Sequence, residues 1–176
     1  MPDYPRRRAA GGCYFFTVNL LRRGGDGPLV RQIELLRSSV VAVMREHPFH
    51  VEGWVVLPDH LHCIWTLPRG DDDFAMRWRL IRSGFSHALP AEERRSRVRV
   101  YRRELGIWQR RFRDHLILDE EDYRRHMDYL HFNPVEHGYV ERVSEWPYST
   151  FHRLVARGVY PPDWAGGNLH EPSAGE

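Results

Sequence analysis

The spacing of hydrophobic and polar positions predicts strands and helices in alternation along the first half of the chain. The predicted elements are a strand over residues 13–21, a helix over 29–47, and two strands over 51–57 and 60–67. Leu36, Val40 and Val43 repeat at helical spacing, and Pro48 ends that helix. The turn dipeptide Pro58-Asp59 separates the last two strands, so we expect them to form a hairpin.

The pattern in the second half of the chain predicts two longer elements and two shorter ones. The predicted elements are a helix over 74–89, one strand or a bent pair over 107–118, a helix over 119–133 and a short helix around 148–156. Phe74, Trp78 and Ile81 share one side of the first of these helices. Asp119 is the expected N-cap of the next, which should end near Asn133 because a proline follows that residue.

This order of elements predicts an α+β fold of the ferredoxin-like or RRM-like type, an antiparallel sheet with helices packed on one face. A chain of 176 residues is long enough for one domain with a substantial core and short for two. We expect an arginine-containing arm over residues 1–11, one folded domain over 12–164 and a flexible tail over 165–176.

Composition narrows the class of protein further. Hydrophobic residues make up 41% of the chain and aromatic residues 12%, which excludes wholesale disorder. Two cysteines, Cys13 and Cys63, are too few for a disulfide framework or a cysteine zinc site. Neither a signal peptide nor a membrane-spanning pattern is evident, so the sequence favours a soluble cytoplasmic protein.

The basic residues are unusual in both type and position. All 26 are arginine, and they cluster over residues 6–8, 94–103 and 110–113, although the formal net charge is only +2. The absence of lysine has a plain explanation in codon bias. Clustering beside Tyr101, Trp108 and Phe112 is more informative, because interleaved basic and aromatic side chains suit single-stranded nucleic acid.

The strongest candidate for chemistry is the pair His60 and His62. Side chains two apart on a strand point to the same face, so both imidazoles should project together while Leu61 points the other way. Two neutral imidazoles are half of a divalent-metal site. The alternative is a histidine pair satisfied by hydrogen bonds within a polar layer of the sheet.

A second polar pair lies on the predicted helix over 119–133. Tyr129 and Asn133 are four residues apart and share a face, well away from the apolar stripe of Tyr123, Met127 and Leu130. Packing alone would place a tyrosine within that stripe. The competing explanations are a partly exposed surface tyrosine and an asparagine that stops the helix before proline.

Together these segments resemble a known family. Leu57-Pro58-Asp59-His60-Leu61-His62 and the segment from Tyr129 to Val135 are similar to the two signatures of the single-tyrosine HUH transposases. Segments 14–17, 107–112 and 146–153 resemble the branch associated with repetitive extragenic palindromes (REPs), and the similarity runs over about 12–164. The chain departs from the usual pattern at Arg113, where an aromatic residue is usual, and at Arg82, where lysine is common.

The resemblance implies a metal-dependent endonuclease and strand transferase. By this resemblance, a divalent cation, Mg²⁺ or Mn²⁺, would be held in this chain by His60, His62 and Asn133. Tyr129 would become joined to a 5′ phosphate. We expect Asp59 to point to the other face of the strand and take no ligand role. We expect His115, His126 and His131 to be supporting or surface residues rather than ligands.

The resemblance also implies the substrate, single-stranded DNA that carries a hairpin of the REP type. Arg82, Arg110 and Arg111 are the candidate DNA contacts, and the protein would act as a monomer or homodimer at the bacterial nucleoid. The main alternative is a single-stranded nucleic-acid-binding module without catalysis, in which Tyr129 would be dispensable. A second alternative is a zinc hydrolase of the barrel type, but that class needs a longer chain. A third is a family member that has lost cleavage, which would not need to keep Tyr129.

Overall fold

A computed structural model describes residues 8–22, 26–90 and 107–166. Most of the predicted arm and tail, and the arginine cluster over 94–103, lie outside these residues. The elements are β1 Cys13–Asn19, α1 Pro28–Arg31, α2 Ile33–Glu46, β2 His50–Val56, β3 His60–Thr66, α3 Phe74–Ala88, β4 Arg113–Leu116, α4 Glu120–Glu136 and α5 Phe151–Ala156. Within this part of the chain, no helix is both long and apolar enough to cross a membrane.

The four strands form one antiparallel sheet in the order β2-β3-β1-β4, which confirms the predicted fold class. β2 and β3 are the predicted hairpin, and β3 and β1 occupy the centre. Helices α2 and α3 pack on the sheet face that carries Leu61, Cys63 and Trp65. The ring of Trp65 stacks on that of Trp78 from α3 at 4.3 Å, so the apolar side predicted for this helix is its buried side.

Helix α4 lies across the other face of the sheet, in addition to the two helices on the face that the predicted fold covers. Met127 and Leu130 pack there with Val55 and Ile64. Gly53 allows this close approach, because a Cβ atom at that position would lie 2.5 Å from the Met127 sulfur. The face that carries the two histidines is therefore covered by the helix that carries Tyr129.

Two predicted segments have a different extent in the structure. The helix predicted over 29–47 is two helices, because Gln32 leaves helical geometry with φ −110° and ψ 37°. Over 107–118 the bent alternative holds: Trp108 forms an isolated bridge with Leu20, and β4 starts only at Arg113. The intervening residues leave the sheet before the chain returns to pair with β1.

Gly27, just before α1, is where we expect a small substitution to have a large effect on stability. A Cβ atom there would lie 1.9 Å from the Pro58 carbonyl oxygen in the β2–β3 turn. The G27A variant should therefore lose about 1–3 kcal/mol of unfolding free energy in urea titrations, the usual cost of overpacking.

The matched control is G84A in α3, where the added methyl meets Ser39 at an ordinary 3.5 Å. That variant should gain about 0.5–1 kcal/mol from helix propensity, and equal stability of the two would contradict the steric account.

Candidate functional site

His60 and His62 project from β3 toward α4, as the alternation of the strand predicts. Both side chains are buried, and their ring centroids lie 5.1 Å apart with the ring planes nearly perpendicular. Each imidazole ring makes a hydrogen bond through its Nδ1 atom. His60 Nδ1 lies 2.5 Å from the Asp59 carboxylate, and His62 Nδ1 lies 2.8 Å from the Thr17 hydroxyl. The Asp59 carboxylate can only accept a hydrogen bond, so His60 Nδ1 donates to it and His60 Nε2 carries the lone pair. The Thr17 hydroxyl can donate or accept, so it orients the His62 ring without fixing its tautomer.

The expectation that Asp59 points away from the histidines is wrong. Its carboxylate is buried and accepts a hydrogen bond from His60. The alternation of the strand does not apply to Asp59, because it lies in the turn and β3 begins only at His60. Asp59 therefore orients the imidazole of His60.

Helix α4 brings Asn133 and Tyr129 to the two histidines. Asn133 is fully buried, and its Oδ1 lies 3.3 Å from His60 Nε2. The ring centroid of Tyr129, which is half-buried, lies 5.3 Å from that of His62 in an edge-on arrangement. Four residues from two distant segments of the sequence thus meet at one place.

The contact between Asn133 and His60 indicates the charge that suits this site. The Asn133 amide nitrogen faces the Glu136 carboxylate at 3.4 Å, which turns its oxygen toward His60. With Nδ1 donating to Asp59, Nε2 and this oxygen are two acceptors that repel unless a cation or a proton lies between them. Their separation of 3.3 Å matches adjacent ligands around a divalent ion with bonds of about 2.1 Å. The donor set of two imidazoles and an amide oxygen therefore fits such an ion.

The end of α4 differs from the prediction. The helix continues past Pro134 to Glu136, although proline removes an amide hydrogen bond in a helix interior. His137 N donates to the Asn133 carbonyl oxygen, and Gly138 at φ 73° then ends the helix. This extra turn places the His137 ring 5.0 Å from that of His60, at the exposed rim of the site.

The polar side of α4 faces the sheet instead of solvent. Asp122, His126 and Asn133 are buried along it, whereas the neighbouring Arg125 is exposed. The ring of Phe15 from β1 lies between His62 on β3 and His126 on this side of α4. Its centroid is 5.5 Å from the His62 ring and 4.7 Å from the His126 ring.

Arg82 does not lie at the surface where a DNA contact would need it. Its side chain is buried and donates to the carbonyl oxygens of Gln109 and Arg110, and burial lowers the pKa of its guanidinium to about 10. Trp108 Nε1 in turn donates to the Arg82 carbonyl oxygen at 3.1 Å. Arg110 and Arg111 are exposed, so Arg82 fixes the backbone that presents them. The expectation of a direct contact through Arg82 is corrected accordingly.

Three residues near the histidines escaped the sequence analysis. His137 follows Asn133 by four positions on the same helix face, a signal that the assumed helix end concealed. Strand alternation places Asp59 on the wrong side. Thr17 is found only through the pairing of β1 with β3, where it lies opposite His62. His131, also near in sequence, is buried and bonds to the Thr150 hydroxyl at 2.9 Å, away from the site.

Comparisons with known proteins find relatives that match almost the whole chain. No family model matches the chain. A REP-associated tyrosine transposase from Escherichia coli (strain K12) is 49% identical over 176 residues, covering 100% of this chain and 98% of the relative. A Haemophilus influenzae relative is 44% identical over 167 residues, 94% of each chain. A solved structure of a REP-associated tyrosine transposase bound to a REP hairpin superposes with a TM-score of 0.85 at 49% identity, covering 100% of this chain and 98% of that one.

Proposed function

Because the chain belongs to the REP-associated tyrosine transposases, we propose that it nicks and joins DNA at hairpin-forming REP palindromes. The observation that carries the proposal is the position of the Tyr129 ring, 5.3 Å from that of His62 and on the same helix face as Asn133. The 49% identity to such a transposase over the whole chain supports the proposal.

Tyr129 is the proposed nucleophile. Its phenolic oxygen forms a bond to the phosphorus while the bond to the 3′ oxygen breaks, and the net change moves one proton from the phenol to that oxygen. The product is a 5′-phosphotyrosine and a free 3′ hydroxyl. Because the covalent bond conserves the energy of the phosphodiester, a later attack by a 3′ hydroxyl can rejoin a strand without ATP.

His60, His62 and Asn133 would hold a divalent cation, Mg²⁺ or Mn²⁺. When bound, such an ion supplies positive charge against the phosphate oxygens. Two imidazole ligands favour Mn²⁺ over Mg²⁺, which prefers oxygen ligands. Asp59 and Thr17 hold the two imidazoles in the orientation that this role requires.

Arg110 and Arg111 are the proposed phosphate contacts of the hairpin. Both are exposed, and they follow Trp108 and Gln109, whose segment is pinned to the domain through Arg82. Arginine binds phosphate oxygens in a bidentate manner, so a fixed pair of arginines can orient a duplex stem. One chain supplies the tyrosine and all three proposed ligands, so we propose that a monomer cleaves the DNA. We further propose that it acts at the bacterial nucleoid, where its substrate lies.

The test is formation of a covalent complex on a denaturing gel. Purified protein with Mn²⁺ and an end-labelled oligonucleotide, a REP-type hairpin with single-stranded flanks, should give a protein band that carries label. A matched oligonucleotide of the same composition without the hairpin should give little. Strong hairpin binding with no covalent band under any divalent ion would favour the binding module without catalysis. Nicking without a covalent band would favour a hydrolytic nuclease.

A further inference from the structure

We propose that His115, Asp122 and His126 form a second metal site, selective for a divalent transition-metal ion and separate from the His60–His62 site. Each residue offers one ligand atom, and these atoms all lie within 4.8 Å of one another. Among the described residues, no other group of three histidine, cysteine or acidic side chains meets this criterion. We refer to these three residues as the β4–α4 cluster, since His115 lies on β4 and the others on α4.

The β4–α4 cluster is held in place from several sides. Asp122 Oδ2 accepts hydrogen bonds from His115 Nε2 at 2.8 Å and from the Leu118 amide at 2.9 Å. His126 Nδ1 lies 2.8 Å from the Asp122 carbonyl oxygen and 3.0 Å from its carboxylate. The two imidazole rings stack at 4.4 Å with an angle of 19° between them. Two imidazoles therefore approach one carboxylate in fixed orientations, as three ligands of one ion must.

The ring nitrogens of the β4–α4 cluster already face one carboxylate, as a cation site requires. Coordination through the ring nitrogens that face Asp122 requires only that each ring proton moves to the other nitrogen. The side chain of His115 is 27% exposed, which leaves an entry path for an ion.

The chemistry and position of the cluster distinguish it from the first site. Two imidazoles and a carboxylate favour Zn²⁺, Co²⁺ or Ni²⁺ over Mg²⁺. The Phe15 ring stands between the two sites, stacked on His62 and tilted against His126. An ion in the cluster would tie the edge strand β4 to α4, one turn before Tyr129. Its proposed role is to stiffen the helix that presents this tyrosine.

Zinc stoichiometry tests the proposal, with Zn²⁺ itself as the probe and metal content measured after equilibrium dialysis. The H60A/H62A variant should retain one equivalent of zinc, and adding H115Q or D122N should remove it. The matched control adds H87A, an exposed histidine at the end of α3, and should retain the equivalent. This background isolates the cluster, so the result does not depend on whether the first site binds metal or whether Tyr129 is the nucleophile.

A thermal shift separates a metal site from a simple hydrogen-bonded latch. In the H60A/H62A background, zinc at about 100 times its Kd should stabilise the protein by about 2.7 kcal/mol and raise Tm by several degrees. The D122N change keeps the size of the side chain and should abolish this zinc-dependent shift. No zinc in the H60A/H62A variant, or zinc binding that both H115Q and D122N leave unchanged, would overturn the proposal.

Discussion

Replacing Tyr129 with phenylalanine is expected to abolish the covalent protein–DNA complex and to leave hairpin binding intact. Phenylalanine retains the ring that packs against His62 and Phe15 but lacks the attacking oxygen. Loss of a catalytic nucleophile usually lowers the rate by at least about 10⁴-fold, so the labelled band should disappear from a denaturing gel. Fluorescence anisotropy with the same hairpin should give a Kd within a few fold of the wild type.

Tyr123 offers a matched control on the same helix. It is half-buried and packs with the apolar residues of α4, and burial raises the pKa of its phenol to about 12. The Y123F variant removes one hydroxyl from α4 without changing the histidine site, so it should form the covalent complex at the wild-type rate. If Y129F still forms the complex and Y123F does not, the nucleophile is misassigned.

The second large effect is expected at the histidine pair. Both H60A and H62A should lose DNA nicking by about 10³-fold, since several kcal/mol of transition-state stabilisation depend on a correctly held cation. Hairpin binding should persist, because Arg110 and Arg111 are on a different segment. Excess EDTA should stop the wild-type reaction, and Mn²⁺ in excess over the chelator should restore it. Restoration should fail in both variants at the same Mn²⁺ concentration.

Smaller losses of nicking are expected at Asp59 and Thr17, which orient the two histidines. D59N and T17V keep both imidazoles and weaken only the groups that orient them, so a loss of about 10–100-fold is expected, with partial recovery at high Mn²⁺. The measurement is the nicking rate against Mn²⁺ concentration for the four variants. Full activity of H62A at any metal concentration would contradict the assignment of His62 as a ligand.

The sequence predicts this site well where a simple periodicity governs the geometry. Strand alternation places His60 and His62 on one face, and helical spacing places Tyr129 and Asn133 together. Neither rule says that the two faces meet. That follows from α4 crossing the sheet close to Gly53, a packing result that depends on the whole fold.

The errors arise where tertiary contacts override a local rule. Strand alternation misplaces Asp59 because this residue lies in a turn, and its burial beside His60 decides its role. Pro134 predicts a helix end, but α4 loses one hydrogen bond there and continues. The family resemblance predicts a DNA contact at Arg82, whereas the segment around Trp108 packs over this side chain. None of these outcomes can be read from spacing alone.

Tyr129 is the one phenol proposed to become linked to the 5′ phosphate of the cleaved strand. The most direct test is tandem mass spectrometry of the wild-type complex, after nuclease digestion has trimmed the DNA and a protease has cut the protein. We expect one modified peptide, with a nucleotide bound through its 5′ phosphate to Tyr129. A nucleotide on any other residue of the chain, or attachment through a 3′ phosphate, would contradict it.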